Sequence, residues 1–264
     1  MTGPTVRIRT HEMWTLLEHV DLVGLLRDAL LGTDARRGNL TALDAGRLAF
    51  HDESTGQCGE LPAGDLRALC MAGLAALAAR LLLTDAVITA GIVGPRRSTQ
   101  WQLGVISRCV PNVSHVAVFS ADRTEEPAVD PTVLHRLELD GIGLSVAASV
   151  ADAVLGATLV VALGRTGEQI GYDQLARGSL MVDTAGQRPA DELREGVAER
   201  LSAGDLAILL SNHVNRRVDF DEIRLVELTD SELLRELETA LAHRLVGTAM
   251  RLGIGILDKN GATS

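Results

Sequence analysis

Residues 84–122 (TDAVITAGIVGPRRSTQWQLGVISRCVPNVSHVAVFSAD) decide the fold of this chain. The apolar run at 87–93 predicts a β-strand, which ends in a Gly-Pro-Arg turn at 94–96. A helix is predicted at 97–110 and a second apolar strand at 115–119. A strand that leads through a glycine turn into a helix and a second strand is the opening βαβ unit of a dinucleotide-binding domain.

The glycine fingerprint of such domains, G-x-G-x-x-G, is only partly present in this turn. Gly94 holds the first position, whereas Arg96 and Thr99 stand where the second and third glycines would be. Those two glycines normally let the backbone approach the pyrophosphate and the helix pack closely on its strand. The stretch therefore predicts the fold more firmly than it predicts the cofactor.

Length and charge limit the classes of protein to which the chain can belong. With 264 residues it can form one large domain or two modest ones. Acidic residues number 35 against 25 basic ones, which gives a net charge of -10, so nucleic-acid binding is not expected. Aromatic residues are only 2% of the chain, so the core must be built from aliphatic side chains.

Cysteine usage and hydropathy indicate a cytoplasmic protein that is not embedded in a membrane. Cys58, Cys70 and Cys109 are few, odd in number and widely spaced, as in reduced proteins. The N-terminus lacks an apolar signal core. The most apolar stretch, 71–83, is too short to span a bilayer and carries Arg80. The scattered histidines show no ligand spacing, so no metal site is predicted.

Beyond the opening unit, short apolar strands alternate with helices along most of the chain. This alternation predicts an α/β fold with a Rossmann-type, doubly wound parallel sheet. Further strands are predicted at 46–51, 144–147, 158–163, 179–183, 206–210 and 222–228. Further helices are predicted at 11–19, 22–31, 61–83, 131–139, 150–155, 172–177, 190–201 and 230–252.

Two long helices outside the parallel-sheet region predict a second, smaller domain. The helix at 61–83 is almost entirely small or apolar, which is typical of a buried helix. The last helix has more apolar surface than a closing Rossmann helix needs, so we expect it to pack on the N-terminal helices. The predicted domains are a split helical dimerisation domain, 1–84 plus 230–264, and a Rossmann-like domain, 85–229.

Three segments carry a resemblance to a known family. They are 9–31, 46–83 (GRLAFHDESTGQCGELPAGDLRALCMAGLAALAARLLL) and 226–253. In this order around the βαβ units, they resemble the ornithine cyclodeaminase/mu-crystallin family: a first helical stretch, a D-x-x-T-G turn with an alanine-rich helix, and a returning helix. The resemblance implies an NAD(P)-binding Rossmann domain and a dimerisation domain. It also implies reactions that pass through an imine at an amino-acid carbon, by hydride transfer with a nicotinamide.

The expected substrate-binding positions of that family depart from its pattern. The family has several strands before the D-x-x-T-G turn, which supply an arginine and a lysine to the substrate, but only residues 33–45 occupy that space here. The arginine expected early in the alanine-rich helix falls on Cys70. The expected aspartate falls on about Gln187, four residues after Asp183.

Nine residues are candidates for binding NAD or NADP. The turn and the helix that follows it offer amides and cations to a pyrophosphate, and the residues after the second strand can face an adenine ribose. The loop after the strand at 158–163 faces the same crevice, where an arginine can also hold a carboxylate. Solvated turns and a partly closed groove are the alternatives. The candidates are Gly94, Pro95, Arg96, Arg97, Ser98, Ser120, Asp122, Arg165 and Thr166.

Two residues are candidates for proton transfer. Asp183 ends the predicted strand at 179–183, where an acid or base can face the crevice, although it can equally cap the next helix. His213 follows the predicted strand at 206–210, with a structural role as the alternative. Cys70 lies in a buried-looking helix and is interpreted as a packing residue.

Two functions follow from this reading. One is a divergent NAD(P)-linked enzyme that acts on a small amino acid, imine or keto acid, in specialised amino-acid or natural-product metabolism. The other is a non-catalytic dimeric scaffold that binds a ligand or a partner. A homodimer is expected, with a heteromer left open, and no nucleic-acid or membrane partner is expected.

Overall fold

The computed structural model divides into two compact units, and each unit contains its own sheet. One unit comprises Met1–Cys70 with Ser231–Ser264, and the other comprises Met71–Asp230. One boundary lies inside the helix Ala63–Leu82, and the other immediately precedes the helix Ser231–Leu252. The structure describes residues 5–33, 38–44, 46–83, 86–120, 122, 129–184, 191–212 and 221–258.

The described elements alternate as the sequence predicts over most of the chain. The helices are α1 Thr10–Leu17, α2 Leu22–Leu30, α3 Ala63–Leu82, α4 Arg96–Cys109, α5 Pro131–Leu139, α6 Val150–Val154, α7 Asp191–Gly196, α8 Ala203–Ser211 and α9 Ser231–Leu252. The strands are β1 Thr5–Arg7, β2 Asn39–Asp44, β3 Arg47–His51, β4 Cys58–Pro62, β5 Ile88–Gly94, β6 Val113–Ser120, β7 Gly143–Val146, β8 Leu159–Ala162, β9 Leu180–Asp183, β10 Glu199–Ser202, β11 Arg224–Glu227 and β12 Ile256–Asp258. Two short 3₁₀ segments, Gly164–Gln169 and Tyr172–Gln174, lie between β8 and β9.

The larger unit contains a seven-stranded sheet in which every neighbouring pair is parallel. Its strand order is β10-β11-β9-β8-β5-β6-β7. The chain starts at β5, moves outward through β6 and β7, and then returns to continue from β8 on the other side. The predicted Rossmann-type, doubly wound sheet is therefore confirmed, and its topological switch point lies between β5 and β8.

The inner strands of this sheet are apolar on both faces because helices cover both. All four residues of β8 and all four of β9 are buried. Each aliphatic side chain removed from water contributes about 1.5–3 kcal/mol before the entropic cost of ordering it. One core cluster joins Val93, Val160 and Met181 of three neighbouring strands to Leu193 of α7.

The smaller unit contains a mixed five-stranded sheet in the order β12-β1-β4-β3-β2. One face carries Val6, Phe50 and Gly59, and α9 packs on this face and against α1 and α2. Gly59 is needed there because a Cβ would lie 2.4 Å from a methyl group of Val246. The return of the last helix to the N-terminal helices is as the sequence predicts.

Most of this smaller sheet is not predicted from the sequence. The predicted strand at 46–51 corresponds to β3. The connection at 33–45, which the sequence predicts to be too short for the strands of the family that the chain resembles, contains β2. Strands β1 and β12 have three residues each, and β1 reaches the sheet only by pairing with β4 and with the chain's other end.

The predicted helix at 190–201 is too long, since only its first half forms α7, and the predicted strand at 206–210 is wrong. The described part of this region contains α7, then β10, then α8. Ser202 caps α8: its hydroxyl accepts a hydrogen bond from the Asp205 amide, and the Asp205 carboxylate accepts one from the Ser202 amide. The apolar run that follows is one-sided, with Leu206 and Leu209 buried and Ile208 exposed, as a helix requires.

The D-x-x-T-G turn is organised by the carboxylate of Asp52, which is only 1% exposed. This carboxylate accepts hydrogen bonds from the amides and hydroxyls of Ser54 and Thr55. It also pairs with Nε2 of His243 on α9, at 3.0 Å. Burial alone would raise the pKa of Asp52, but the hydrogen bonds from Ser54 and Thr55 outweigh it and hold that pKa well below its usual range. The turn is thereby tied to α9.

We expect Asp52→Ala to lower the free energy of unfolding by about 2 kcal/mol, because Ser54, Thr55 and His243 all lose hydrogen bonds to one buried, charged acceptor. Folding depresses the pKa of Asp52, so its stabilising effect is present above the unfolded value of about 3.9 and is lost as the pH falls below about 4. Denaturant titration of both proteins from pH 3 to pH 7 measures this. Glu53→Ala, in the same turn but exposed, is the control and should cost less than about 0.5 kcal/mol. If the difference in free energy of unfolding between the parent and Asp52→Ala did not decrease as the pH is lowered, this role for Asp52 would be contradicted.

Candidate functional site

The carboxyl ends of β5, β6, β8 and β9 meet at one edge of the larger sheet. In the register of the sheet, Gly94 pairs with Ser120, and Ala162 pairs with Asp183. The edge includes the switch point between β5 and β8, where open α/β sheets bind their ligands. The structure therefore brings the main sequence-predicted candidates to one place.

Gly94 is required by packing at this edge. Its φ is 153°, a conformation that side-chain-bearing residues rarely adopt. A Cβ there would lie 2.4 Å from Cβ of Leu163 and 2.7 Å from its carbonyl oxygen. The Leu163 amide in turn donates to the carbonyl of Val93 at 2.8 Å. The glycine thus lets the chain leaving β8 cross the end of β5, and its presence does not depend on a pyrophosphate.

The N-terminus of α4 receives a carboxylate from the chain itself. Pro95 occupies the N-cap position and has no side-chain acceptor for the first amides of the helix. Oδ2 of Asp122 accepts a hydrogen bond from the Arg96 amide at 3.0 Å. A negative charge is stabilising at this end of a helix. Asp122, predicted to face a ribose, therefore also acts as a remote cap of α4.

The other predicted cofactor residues lie around this helix start. Arg97 and Ser98 belong to the first turn of α4, and the Thr99 hydroxyl donates to the Arg96 carbonyl. The hydroxyl oxygen of Ser120 is buried and has no hydrogen-bond partner among the residues that the structure describes. A buried orphan oxygen beside the turn is a group that a ligand hydroxyl can satisfy.

The segment after β8 carries the remaining candidates. Gly164 has a φ of 62° and opens the 3₁₀ segment that includes Arg165. Arg165 is exposed. The backbone of Thr166 lies in the same segment, while its side chain is outside the described residues. Arg165 is thus placed beside the switch point by the turn at Gly164.

Asp183 ends β9 and is 1% exposed. Its backbone carbonyl accepts a hydrogen bond from the Leu228 amide at 2.9 Å. Since β8 lies between β9 and β5, Asp183 is two strand spacings, about 10 Å, from Gly94 along the edge. His213, the other proton-transfer candidate, lies outside the described residues, as does Gln187.

Cys70 is buried, and its thiol is a poor nucleophile. It is 1% exposed on α3, and burial, with a smaller effect of the Glu238 carboxylate, raises the pKa of its thiol far above the usual range. One turn earlier, Nη1 of Arg67 lies 3.5 Å from Oε1 of Glu238 on α9. Burial raises the pKa of Glu238 although Arg67 opposes this. The resemblance expects an arginine that holds the substrate carboxylate at position 70, and the structure places an inert thiol there.

Three features of this sheet edge suit a bound dinucleotide: the strand order, the backbone amides at the start of α4, and the buried Ser120 hydroxyl. One feature does not suit it, because the Arg96 amide already donates a hydrogen bond to Asp122. Within the described ranges, no group of three His, Cys, Asp or Glu residues is arranged to hold a metal ion. Across those same residues, no helix has the length and apolar character needed to cross a bilayer.

The two units and the strand order define an ornithine cyclodeaminase/mu-crystallin-like fold, as the sequence predicted. No family model matches the sequence, and no curated protein matches it. Among solved structures, CmnK superposes with a TM-score of 0.73 at 16% identity, covering 98% of this chain and 100% of that one.

Two further structures share the fold over nearly their whole lengths. An archaeal alanine dehydrogenase, solved as a dimer with bound NAD, has a TM-score of 0.70 at 13% identity and covers 98% and 100% of the two chains. A lysine cyclodeaminase, solved to explain recognition of L-lysine, L-ornithine and L-2,4-diaminobutyric acid, has a TM-score of 0.67 at 14% identity and covers 97% and 95%. At these identities the likeness establishes the fold.

We expect Gly94→Ala to destabilise the protein by roughly 3 kcal/mol, because it combines an unfavourable φ with a steric conflict at Leu163. The matched control is Gly156→Ala, at a φ of 71° with open space around the added methyl. That control should lose only about 1 kcal/mol, from backbone strain alone. Thermal and denaturant unfolding without any nucleotide measures both. Equal losses for the two variants would contradict the packing role.

Proposed function

We propose that the protein is a divergent NAD(P)-linked enzyme that acts on a small amino acid, imine or keto acid. The observation that carries the proposal is the agreement in fold over 97–98% of the chain with an NAD-bound alanine dehydrogenase and a lysine cyclodeaminase. The sheet edge that holds the predicted cofactor residues is the ligand edge of such folds. A cytoplasmic role in specialised amino-acid or natural-product metabolism is part of the proposal.

Six of the described residues at the edge have a role in this proposal. The amides of Arg97 and Ser98 bind the pyrophosphate at the positive end of α4. Ser120 and Asp122 hold the adenine ribose, and Arg165 holds an anionic group. A nicotinamide, when bound, supplies the hydride donor or acceptor for the carbon that bears the ligand nitrogen. Asp183, shielded from bulk water, moves the proton that accompanies this step, with His213 as the second candidate.

We expect NADH or NADPH to bind with an increase in nicotinamide fluorescence. Asp183→Asn should abolish turnover of amino-acid or keto-acid substrates while leaving the cofactor affinity within about twofold, because the carboxylate acts on the proton and not on the dinucleotide. Asp140→Asn, an exposed aspartate at the end of α5, is the control and should behave as the parent protein. The measurement is a fluorescence titration followed by steady-state kinetics.

Two results would count against these assignments. An absence of fluorescence change at millimolar NADH and NADPH would remove the oxidoreductase proposal as a whole. Unchanged turnover in Asp183→Asn would remove only the role of that residue. The two failures are distinct because the first is observed without any substrate.

A second candidate function, a non-catalytic ligand- or partner-binding scaffold, is favoured by one specific observation. The Asp122 carboxylate occupies the Arg96 amide, the place where a pyrophosphate oxygen would be bound. The direction in which one substitution changes the affinity for NAD(P)H separates the two candidate functions. If Asp122 holds a ribose, Asp122→Asn weakens NAD(P)H binding; if its charge excludes the pyrophosphate, the same variant strengthens binding.

We further propose that the smaller unit mediates a homodimer, with a heteromer as the alternative. The outermost strands of its sheet, β12 and β2, carry the exposed apolar residues Ile256, Leu257 and Leu43. Exposed apolar side chains on edge strands are typical of surfaces that pair with another chain. The alanine dehydrogenase that shares the fold was solved as a dimer.

Light scattering at micromolar concentration should therefore give about twice the 28.0 kDa of one chain. Leu257→Glu places a charge on β12 and should shift the mass toward that of one chain. Leu139→Glu, at an exposed leucine of the larger unit, should leave the mass unchanged. A single-chain mass for the unaltered protein would rule out the homodimer.

A further inference from the structure

The smaller sheet has a second face, opposite the one that α9 covers, and this face is rich in arginine. Arg7 on β1 pairs in register with Glu60 on β4, and Ala49 on β3 pairs with Glu60 from the other side. Arg47 stands two residues from Ala49 and therefore on the same face. Strand alternation thus separates the apolar positions, such as Val6, from the charged ones.

These charged residues line a recess of about 240 Å³. Three basic residues, Arg7, Arg9 and Arg47, line the recess, and Glu60 is the one acidic residue of its lining. The lining is thus positive in a chain whose net charge is -10. Thr10, the first residue of α1, also lines the recess.

Glu60 holds two of the arginines in place. Its Oε2 accepts hydrogen bonds from Nε of Arg7 at 2.8 Å and from Nη1 of Arg47 at 3.0 Å. Arg47 is fixed further by Asp44, which does not line the recess, with Nε and Oδ2 2.9 Å apart. Guanidinium groups held in this way lose little additional freedom when they bind an anion. Arg7 and Arg47 remain 40% and 46% exposed, so a ligand can reach them.

The size and charge of the recess define the ligand class. A volume of about 240 Å³ corresponds to roughly eight waters and lies below the range of about 300–1,000 Å³ typical of drug-sized ligands. Planar guanidinium groups match the geometry of a carboxylate, and Glu60 can accept a hydrogen bond from an ammonium group beside it.

We propose that this recess binds the carboxylate of a small amino acid or keto acid. The inference deepens the proposed function and rests on its claim that the ligand is amino-acid-like, but it does not depend on a nicotinamide. Arg9 and the exposed edges of Arg7 and Arg47 meet the carboxylate, and Glu60 positions the two strand arginines.

Calorimetric titration of the full chain with pyruvate and with L-alanine tests the proposal. Both should bind, and L-alanine methyl ester, which lacks the carboxylate, should bind at least tenfold more weakly. Arg9→Gln and Arg47→Gln should each weaken binding by about tenfold, since each removes a charge-assisted donor. Arg27→Gln, an exposed arginine of α2 that pairs with Asp28 outside the recess, should bind as the parent does. Circular dichroism confirms that each variant is folded.

Three results would overturn the inference. These are no binding of either carboxylate, binding that both arginine variants leave unchanged, and inorganic phosphate binding more tightly than pyruvate, which would make the recess a phosphate site. Carboxylate binding in a protein that fails to bind NADH or NADPH would sustain the inference while removing the oxidoreductase proposal. The two claims therefore fail separately.

Discussion

The close approach of α6 and of Leu163 to the glycines of β5 is the constraint on which the larger unit depends. The strand β5 can lie inside the sheet only because two of its residues lack side chains. A Cβ at Gly91 would lie 2.3 Å from the Ala153 carbonyl of α6, and one at Gly94 would meet Leu163. These contacts bring α6 onto one face and the chain leaving β8 across the strand end. The switch point, and with it the ligand edge, follows from this packing.

Much of this arrangement can be predicted from the sequence, and the physical reason differs from element to element. Apolar runs, a Gly-Pro turn and a proline after the helix indicate the β5-α4-β6 unit, because each of these signals acts over only a few residues. The run Leu-Ala-Ile-Leu-Leu at 206–210 fits a strand or a helix by hydropathy alone, and the capping pair Ser202 and Asp205 decides for the helix. Strands of three residues, such as β1, carry too little pattern to be detected.

The position of the candidate site can be predicted from the sequence, but most of the contacts that its residues make cannot. Strand ends at the switch point identified Gly94, Ser120 and Asp183, because topology alone brings them to one edge. The bond from the Arg96 amide to Asp122 joins residues 26 positions apart, and no spacing rule forecasts it. The arginine-lined recess depends on the pairing of β1 with β4, so it could not be predicted once those strands were missed.

The pairing of β1 with β12 has a consequence for how the chain folds as it is synthesised. The smaller sheet joins residues 5–7 to residues 256–258, so it cannot be completed until residue 258 has left the ribosome. The larger unit, in contrast, is formed from one continuous stretch and can fold first. Until α9 emerges, the apolar face around Val6 and Phe50 stays uncovered. Nascent chains stalled before residue 231 should therefore be the species that chaperones recognise.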